Sequence, residues 1–292
     1  LLVALATFAA LVLLLQLFQS LRGKSQKRQE ATSFSTSKEN KWQWLVYVSV
    51  IITYIAAGNY LFLRTYSRSE RLMLQTQRFA EAGDWEKVRY YTQIYLDEGR
   101  TNHLIAYYHN LALYHTGDLT DHLFDYPPMQ GVQSLYFPWK SDSRESGFGY
   151  LVPDQLGFTN EAQRWENEAL VVWGPTAPHL INLARYAIQS GRPRVAKRYL
   201  SLLSETLFYE DVSDSLRQLA KIEKIASADT IQRGEFINVL NLGQQLKQVL
   251  AEQPHNRMAF EYMAAYLLLS NQVVAFVDHL SAHPELTNSY RK

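Results

Sequence analysis

The pattern of apolar and polar positions changes twice along the chain. From Leu1 to Leu21 almost every position is apolar, interrupted only by Thr7, Gln16, Gln19 and Ser20. A polar connector follows, and a second apolar run from Trp44 to Leu63 carries no charge before Arg64. About 20 residues at about 1.5 Å each cross a hydrocarbon core of about 30 Å, so both runs have spanning length. Trp42, Trp44 and Tyr47 lie at one end of the second run, with Tyr60 and Tyr66 at the other, where interfacial aromatic anchors belong. A signal peptide is the rival for the first run, but that run is long, lacks a basic start and offers no small-residue cleavage site. Buried helices of a soluble core are the rival for both.

Beyond Tyr66 the period becomes that of amphipathic helices separated by short breaks. Ser67 and Glu70 have capping-box spacing and predict a helix to about Ala82. Gly83 then supplies a left-handed position and Asp84 an N-cap, opening a helix with Trp85, Val88, Thr92 and Tyr95 on one face. A third helix carries Leu104, Tyr107, Tyr108 and Leu111 and ends at Gly117-Asp118. The two Gly-Asp turns are 34 residues apart, from Gly83 to Gly117. That is the period of the tetratricopeptide unit, a helix pair whose neighbours stack to bury a face neither buries alone.

Further pairs follow without keeping that period. Leu180, Leu183, Ala184, Ala187 and Ile188 form one stripe, with Pro178 in a first turn where its missing N–H costs little. The turn from Ser190 to Pro193 leads to Val195, Ala196, Tyr199, Leu202 and Leu203. Val239, Leu242, Leu246 and Val249 precede Pro254, which opens a helix carrying Met258, Tyr262, Ala265, Tyr266 and Leu269. Asn271 stands where a glycine would end it, and a last helix runs to about Leu280. The expected fold is all-α: two N-terminal transmembrane helices (about 1–21 and 44–63, connector 22–43), then a tetratricopeptide-like α-α superhelical domain. Residues 64–125 hold its first repeat units and 159–292 its further helix pairs.

Residues 126–158 break the pattern, mixing Pro127, Pro128, Gly131, Pro138, Gly147, Gly149, Pro153 and Gly157 with Tyr126, Tyr136, Trp139, Phe148 and Tyr150. Loops of this length are functional or disordered, and so many aromatics argue against disorder. Two readings stand: an ordered insert covering the end of a helix pair, or a loop that contacts a ligand or peptide through those five aromatic residues.

Charge adds direction. Arg22, Lys24, Lys27, Arg28, Lys38 and Lys41 face only Glu30 and Glu39 in the connector, which places it in the cytoplasm by the positive-inside rule. Arg64, Arg68, Arg71 and Arg78 after the second run pull the other way. With the connector inside, the chain is integral to a bacterial inner membrane and its C-terminal domain periplasmic. The chain begins inside an apolar run and reads as part of a longer protein with further spans upstream. A formal net charge of +1 gives no global attraction to nucleic acid. The absence of cysteine excludes disulfides, thiolate metal sites and cysteine nucleophiles.

Candidate chemistry is sparse. His115, Asp118, Asp121, His122 and Asp125 are the densest polar cluster, yet Asp118 reads as an N-cap and Asp121 as a first-turn carboxylate. His122 and Asp125 alone do not make a metal site, and His103 and His109 read as solvated or core-edge residues. Glu161, Glu166 and Glu168, near Arg164, read as a solvated helix face. Tyr90, Tyr91, Tyr95, Tyr107, Tyr108 and Tyr114 could stack bases, but at helical spacing in paired helices they read as packing, so no nucleic acid is expected. No GxSxG elbow, phosphate-binding GxxxxGK[ST] or GxGxxG occurs. No catalytic, cofactor-binding or metal-ligating residue is assigned, and no cofactor is expected.

The stretches LALYHTGDLTDHLFDYPPMQGVQSL, LARYAIQSGRPRVAKRYLSLL and LAEQPHNRMAFEYMAAYLLLSNQ, with the hydrophobic N-terminus, resemble the Bacteroidetes membrane proteins grouped as domain-of-unknown-function family 6057. The resemblance implies several N-terminal spans followed by a helical-repeat region, and brings no catalytic residues. The expected function is a membrane-anchored scaffold for a protein or peptide partner. The alternative is a membrane enzyme or transport accessory component with its site at residues 126–158, which three or more of His109, His115, Asp121, His122 and Asp125 converging within ligand distance would favour. Transport through the spans themselves is weakened by their lack of charge.

Overall fold

The computed structural model of the protein describes residues 36–138, 143–206, 208–226 and 242–289. The described residues are helices, 3₁₀ turns and connections, with no strand among them, as the all-α expectation requires. They fall into two units that divide between Ser67 and Arg68.

In the first unit, α1 runs from Thr36 to Thr65 over 30 residues. It begins ahead of Trp44 because Thr36 to Gln43 contain neither proline nor glycine to stop it. From Tyr47 to Thr65 the mean hydropathy is 1.3 and none of the helix is buried. Several polar side chains of the apolar stretch bond within the helix. Thr53 Oγ1 donates to the Ser49 carbonyl at 2.8 Å and Asn59 Nδ2 to the Ile55 carbonyl at 2.9 Å. Thr65 Oγ1 donates to the Leu61 carbonyl at 2.8 Å, and Arg64 Nη1 reaches the Tyr60 hydroxyl at 3.1 Å. Among the described residues this is the one helix long and apolar enough to cross a membrane. The first apolar run, residues 1–21, lies outside the described residues.

The second unit is a chain of helix hairpins. α2 (Arg68–Glu81) turns through Gly83, at φ 72°, into α3 (Trp85–Asp97). Asp84 caps α3, its carboxylate accepting from the Lys87 N–H at 3.2 Å. α4 (His103–Thr116) starts at Asn102, whose side chain accepts from the Leu104 N–H at 2.8 Å, and stops at Gly117 in the left-handed region. Its partner is cut short: α5 covers only Leu119–His122. Asp118 does not cap α5 as the sequence suggests. Its carboxylate is drawn sideways to Arg89 on α3 and to the Thr116 hydroxyl.

Residues 126–158 contain 3₁₀ turns at Gly131–Leu135 and Ser143–Gly147 and a short helix, α6 (Leu151–Gln155). Then come α7 (Thr159–Trp173), α8 (Ala177–Gln189), α9 (Pro193–Ser204) and α10 (Glu210–Ala226). The chain closes with α11 (Leu242–Glu252), α12 (Arg257–Leu269), α13 (Val273–Ala282) and α14 (Pro284–Ser289). α12 opens at Asn256, not Pro254, because the Asn256 side chain takes the Ala259 N–H at 3.0 Å. Asn271 turns the chain from α12 into α13 at φ 57°, a left-handed conformation that asparagine tolerates.

The main core joins segments far apart in sequence. It gathers Val88, Tyr107 and Leu111, the insert residues Leu135, Phe137 and Val152, and Phe260 and Tyr262 of α12. α12 packs on α5 and on the 131–135 turn, and the Tyr262 ring meets Tyr114 edge-on at 5.9 Å. A smaller core lies between α8 and α9 around Leu180, Ala184, Leu200 and Leu203. The insert is tied down by Tyr107, whose hydroxyl donates to the Phe148 carbonyl at 3.3 Å and accepts from the Val152 N–H at 3.2 Å. Gly149 beside it is pressed on Trp165: a Cβ there would lie 2.5 Å from the indole ring.

Candidate functional site

Where the insert begins, it closes over the side of α4. His109 is buried, with Nδ1 2.9 Å from Thr92 Oγ1. The Thr92 hydroxyl donates to the Val88 carbonyl at 2.9 Å, so its oxygen accepts from the imidazole and the hydrogen-bond network assigns the His109 proton to Nδ1. Burial, helped by the Arg89 charge, holds His109 down to about 4, leaving Nε2 as a neutral acceptor. The Tyr126 ring stands edge-on to His109 at 5.4 Å, and its hydroxyl donates to Asp97 Oδ1 at 2.7 Å. Burial and Asp97 push Tyr126 up to about 12. Asn110 Nδ2 donates to the Ser134 carbonyl at 3.2 Å and to Ser134 Oγ at 2.9 Å. Between these groups, with Pro127, Pro128 and Met129 at the rim, lies a cavity of about 40 Å³.

The other histidines and aspartates do not converge on this cavity. The His103 Nε2 lies 2.7 Å from the Gln133 carbonyl. His115 stacks on Trp85, with centroids 3.9 Å apart, and meets Gln155 Oε1 at 3.0 Å. His122 pairs with Asp125 at 2.6 Å, Asp118 with Arg89, and Asp121 is exposed. Among the described residues no group of three or more His, Asp and Glu could hold a metal ion. The convergence that the enzyme reading requires is not formed by these side chains.

Of the five aromatic residues expected to contact a ligand, Tyr126 lines the cavity, and Tyr136, Phe148 and Tyr150 are half-buried against the main core. Trp139 lies outside the described residues. His109, read from sequence as solvated or core-edge, is instead the buried floor of the cavity.

A second polar centre lies on the helix face whose acids the sequence pattern places in solvent. Glu168 is exposed, but Glu161 and Glu166 are fully buried. Glu161 pairs with Arg164. Glu166 Oε2 lies 2.7 Å from His179 Nδ1, and Glu166 Oε1 accepts from Asn182 Nδ2 at 2.6 Å. One turn along α8, Arg185 donates to Asp154 at 2.7 Å and to the Tyr186 hydroxyl at 3.2 Å. Burial raises Asp154 in spite of Arg185, and also raises Tyr150 and Tyr186. A buried carboxylate needs such partners to offset lost hydration, and these cross-link α6, α7 and α8. The available signal was the spacing of His179, Asn182 and Arg185, which share one face of α8 opposite its apolar stripe.

No curated protein and no solved structure matches the chain. A family model described as a family of unknown function (DUF6057) matches residues 1–291, essentially the whole length, and the chain belongs to that family.

Proposed function

We propose that the protein is a membrane-anchored helical-repeat scaffold that holds a protein or peptide partner. The observation that carries the anchoring is α1, whose Ile51, Ile52, Ile55, Phe62 and Leu63 are all exposed. Apolar surface left in water costs about 25 cal/mol per Å², whereas lipid takes it without cost. Lipid demands in return that polar groups be satisfied internally, as Thr53, Asn59 and Thr65 are. Arg64, in the last turn, can snorkel to an interface. In this reading the first apolar run is a second span, the connector is cytoplasmic, and residues 68–292 are periplasmic at a bacterial inner membrane. The α2–α3 hairpin and the truncated α4–α5 pair, their turns 34 residues apart, are the tetratricopeptide-like units. Stacked helix pairs bind through extended surfaces, and here the exposed Phe124 and Met129, at the start of the insert, are the surface proposed for the partner.

The chain has no cysteine, so single substitutions report location without background. Lys41→Cys, Ile55→Cys and Met129→Cys are to be labelled in spheroplasts and in lysed cells with a membrane-impermeant maleimide. Met129→Cys should react from outside, Lys41→Cys only after lysis, and Ile55→Cys in neither. Labelling of all three in intact spheroplasts would reject the anchor. For the partner, pull-downs with Phe124→Ser and Met129→Ser should lose what the parent chain retains.

A further inference from the structure

We propose that α13 and the groove between it and α11 pack against the same surface of a second copy of this chain, with Lys247 of each copy pairing with Asp278 of the other. This contact is additional to the partner surface at Phe124 and Met129. The sequence of α13, VVAFVDHLSA, holds one acid and no lysine or arginine. Phe276 and Leu280 are partly buried against the main core, and His279 is buried. The outer side is apolar as well: Val273 is 56% exposed, Val274 77% and Val277 54%. A helix lying on a core in water turns polar residues outward, and one that is apolar all round is buried. α9 follows that rule, with Arg194, Lys197 and Arg198 exposed. α13 does not, and its outer face calls for a cover.

The groove beside that face identifies the cover. Leu250 and Met263 contribute to an apolar floor, and the polar lining is Lys247, Asp278, His279 and His283. The histidines are bonded within the chain. A carbonyl only accepts, so His279 Nε2 donates to the Phe260 carbonyl at 3.0 Å and His283 Nδ1 to the His279 carbonyl at 3.0 Å. Lys247 and Asp278 are both exposed, and neither has an ion pair or a hydrogen bond through its side chain among the described residues. One apolar ridge beside one apolar groove, with one cation and one anion left over, is complementary to itself. A twofold axis sets residue i on residue j and j on i, so two Lys–Asp pairs form and neither charge is left over. A foreign polypeptide would have to bring both opposite charges itself, and an anionic lipid surface calls for an excess of Lys and Arg. The valine ridge supplies affinity as it leaves water, and the two pairs at the rim set register more than strength.

The test uses the full chain in detergent solution, buffered about one pH unit above the ordinary histidine value of about 6.5. The chain has no cysteine, so Val274→Cys offers one site to a short bis-maleimide and should be trapped as a covalent dimer. Val171→Cys, at an 82% exposed position on α7, should not. In the Val274→Cys background, Lys247→Glu and Asp278→Lys should each lower the dimer yield about tenfold or more, because like charges then meet at both contacts. Mixing these two variants, each with its own affinity tag, restores opposite charges at both contacts and should recover the parent yield as a mixed dimer. That recovery needs two folded chains, so neither misfolding nor a contact inside one chain produces it. No dimer from Val274→Cys, equal trapping of Val171→Cys, or a yield indifferent to both charge reversals overturns the proposal. So does a mixture that gives no more dimer than either variant alone. None of these variants alters Phe124 or Met129, so a failure here leaves the scaffold reading standing.

Discussion

Gly149 is held by the Trp165 indole, which leaves no room for a methyl group: a Cβ would sit 2.5 Å from the ring. Gly149→Ala should therefore cost about 1–3 kcal/mol as the core is forced apart. Gly147→Ala places its Cβ at an ordinary 3.5 Å from Trp173 and should stay within about 0.5 kcal/mol. Calorimetric unfolding of the two variants separates these outcomes. His109 makes a second residue-scale prediction. Burial holds its folded value down to about 4, below the ordinary histidine value of about 6.5, so the unfolded chain takes up the proton first as the medium is acidified. Stability from this residue is complete above pH 6.5 and is lost as pH falls towards 4, by about 3 kcal/mol in all. Urea melts between pH 7.5 and 4.5 should show that loss in the parent and not in His109→Gln. Neither residue stands out in the sequence, because the neighbour that constrains each belongs to another helix.

At the scale of elements, the local rules worked where a boundary depends on residues close in sequence. Gly83 and Asp84 form the turn and cap expected of them, and Asn271 takes the place of a glycine. Asp118 departs from the same rule because Arg89, 29 residues earlier, competes for its carboxylate. The insert follows a similar logic. Its glycines and prolines prevent long helices, and its order comes from Tyr107, whose hydroxyl holds Phe148 and Val152. Tyr107→Phe leaves the buried Val152 N–H without its acceptor and should cost about 1–3 kcal/mol. Faster amide exchange at Val152, with little change in α9 and α10, would check that the effect is confined to the insert.

At the scale of the whole second unit, stability is distributed unevenly. α4 and α12 carry Tyr107, Leu111, Leu113, Phe260 and Tyr262, all fully buried in one cluster drawn from both ends of the unit. α9 fully buries only Ala196, Leu200 and Leu203 in the small cores it shares with α8, with Val195 and Tyr199 partly buried beside them. Local opening follows the density of buried apolar contacts. Hydrogen exchange should therefore show α9 and α10 opening well before α4 and α12. Equal protection throughout would mean that the helix pairs unfold as one cooperative body.

Hydrophobic period and turn residues by themselves determined the all-α class, the helix ends marked by Gly83, Gly117, Gly191 and Asn271, and the apolar run that becomes α1. These are local properties, set by the chain's own backbone geometry and by which face of a helix is apolar. Tertiary structure alone decided which polar residues lose water. Glu161 and Glu166 look like solvated acids until α7 turns them toward Arg164, His179 and Asn182. His109 looks like a core-edge histidine until the insert folds over it and buries it beside a cavity. Helical spacing shows that residues share a face, but the desolvation of a charge or a ring nitrogen depends on what later parts of the chain place against that face.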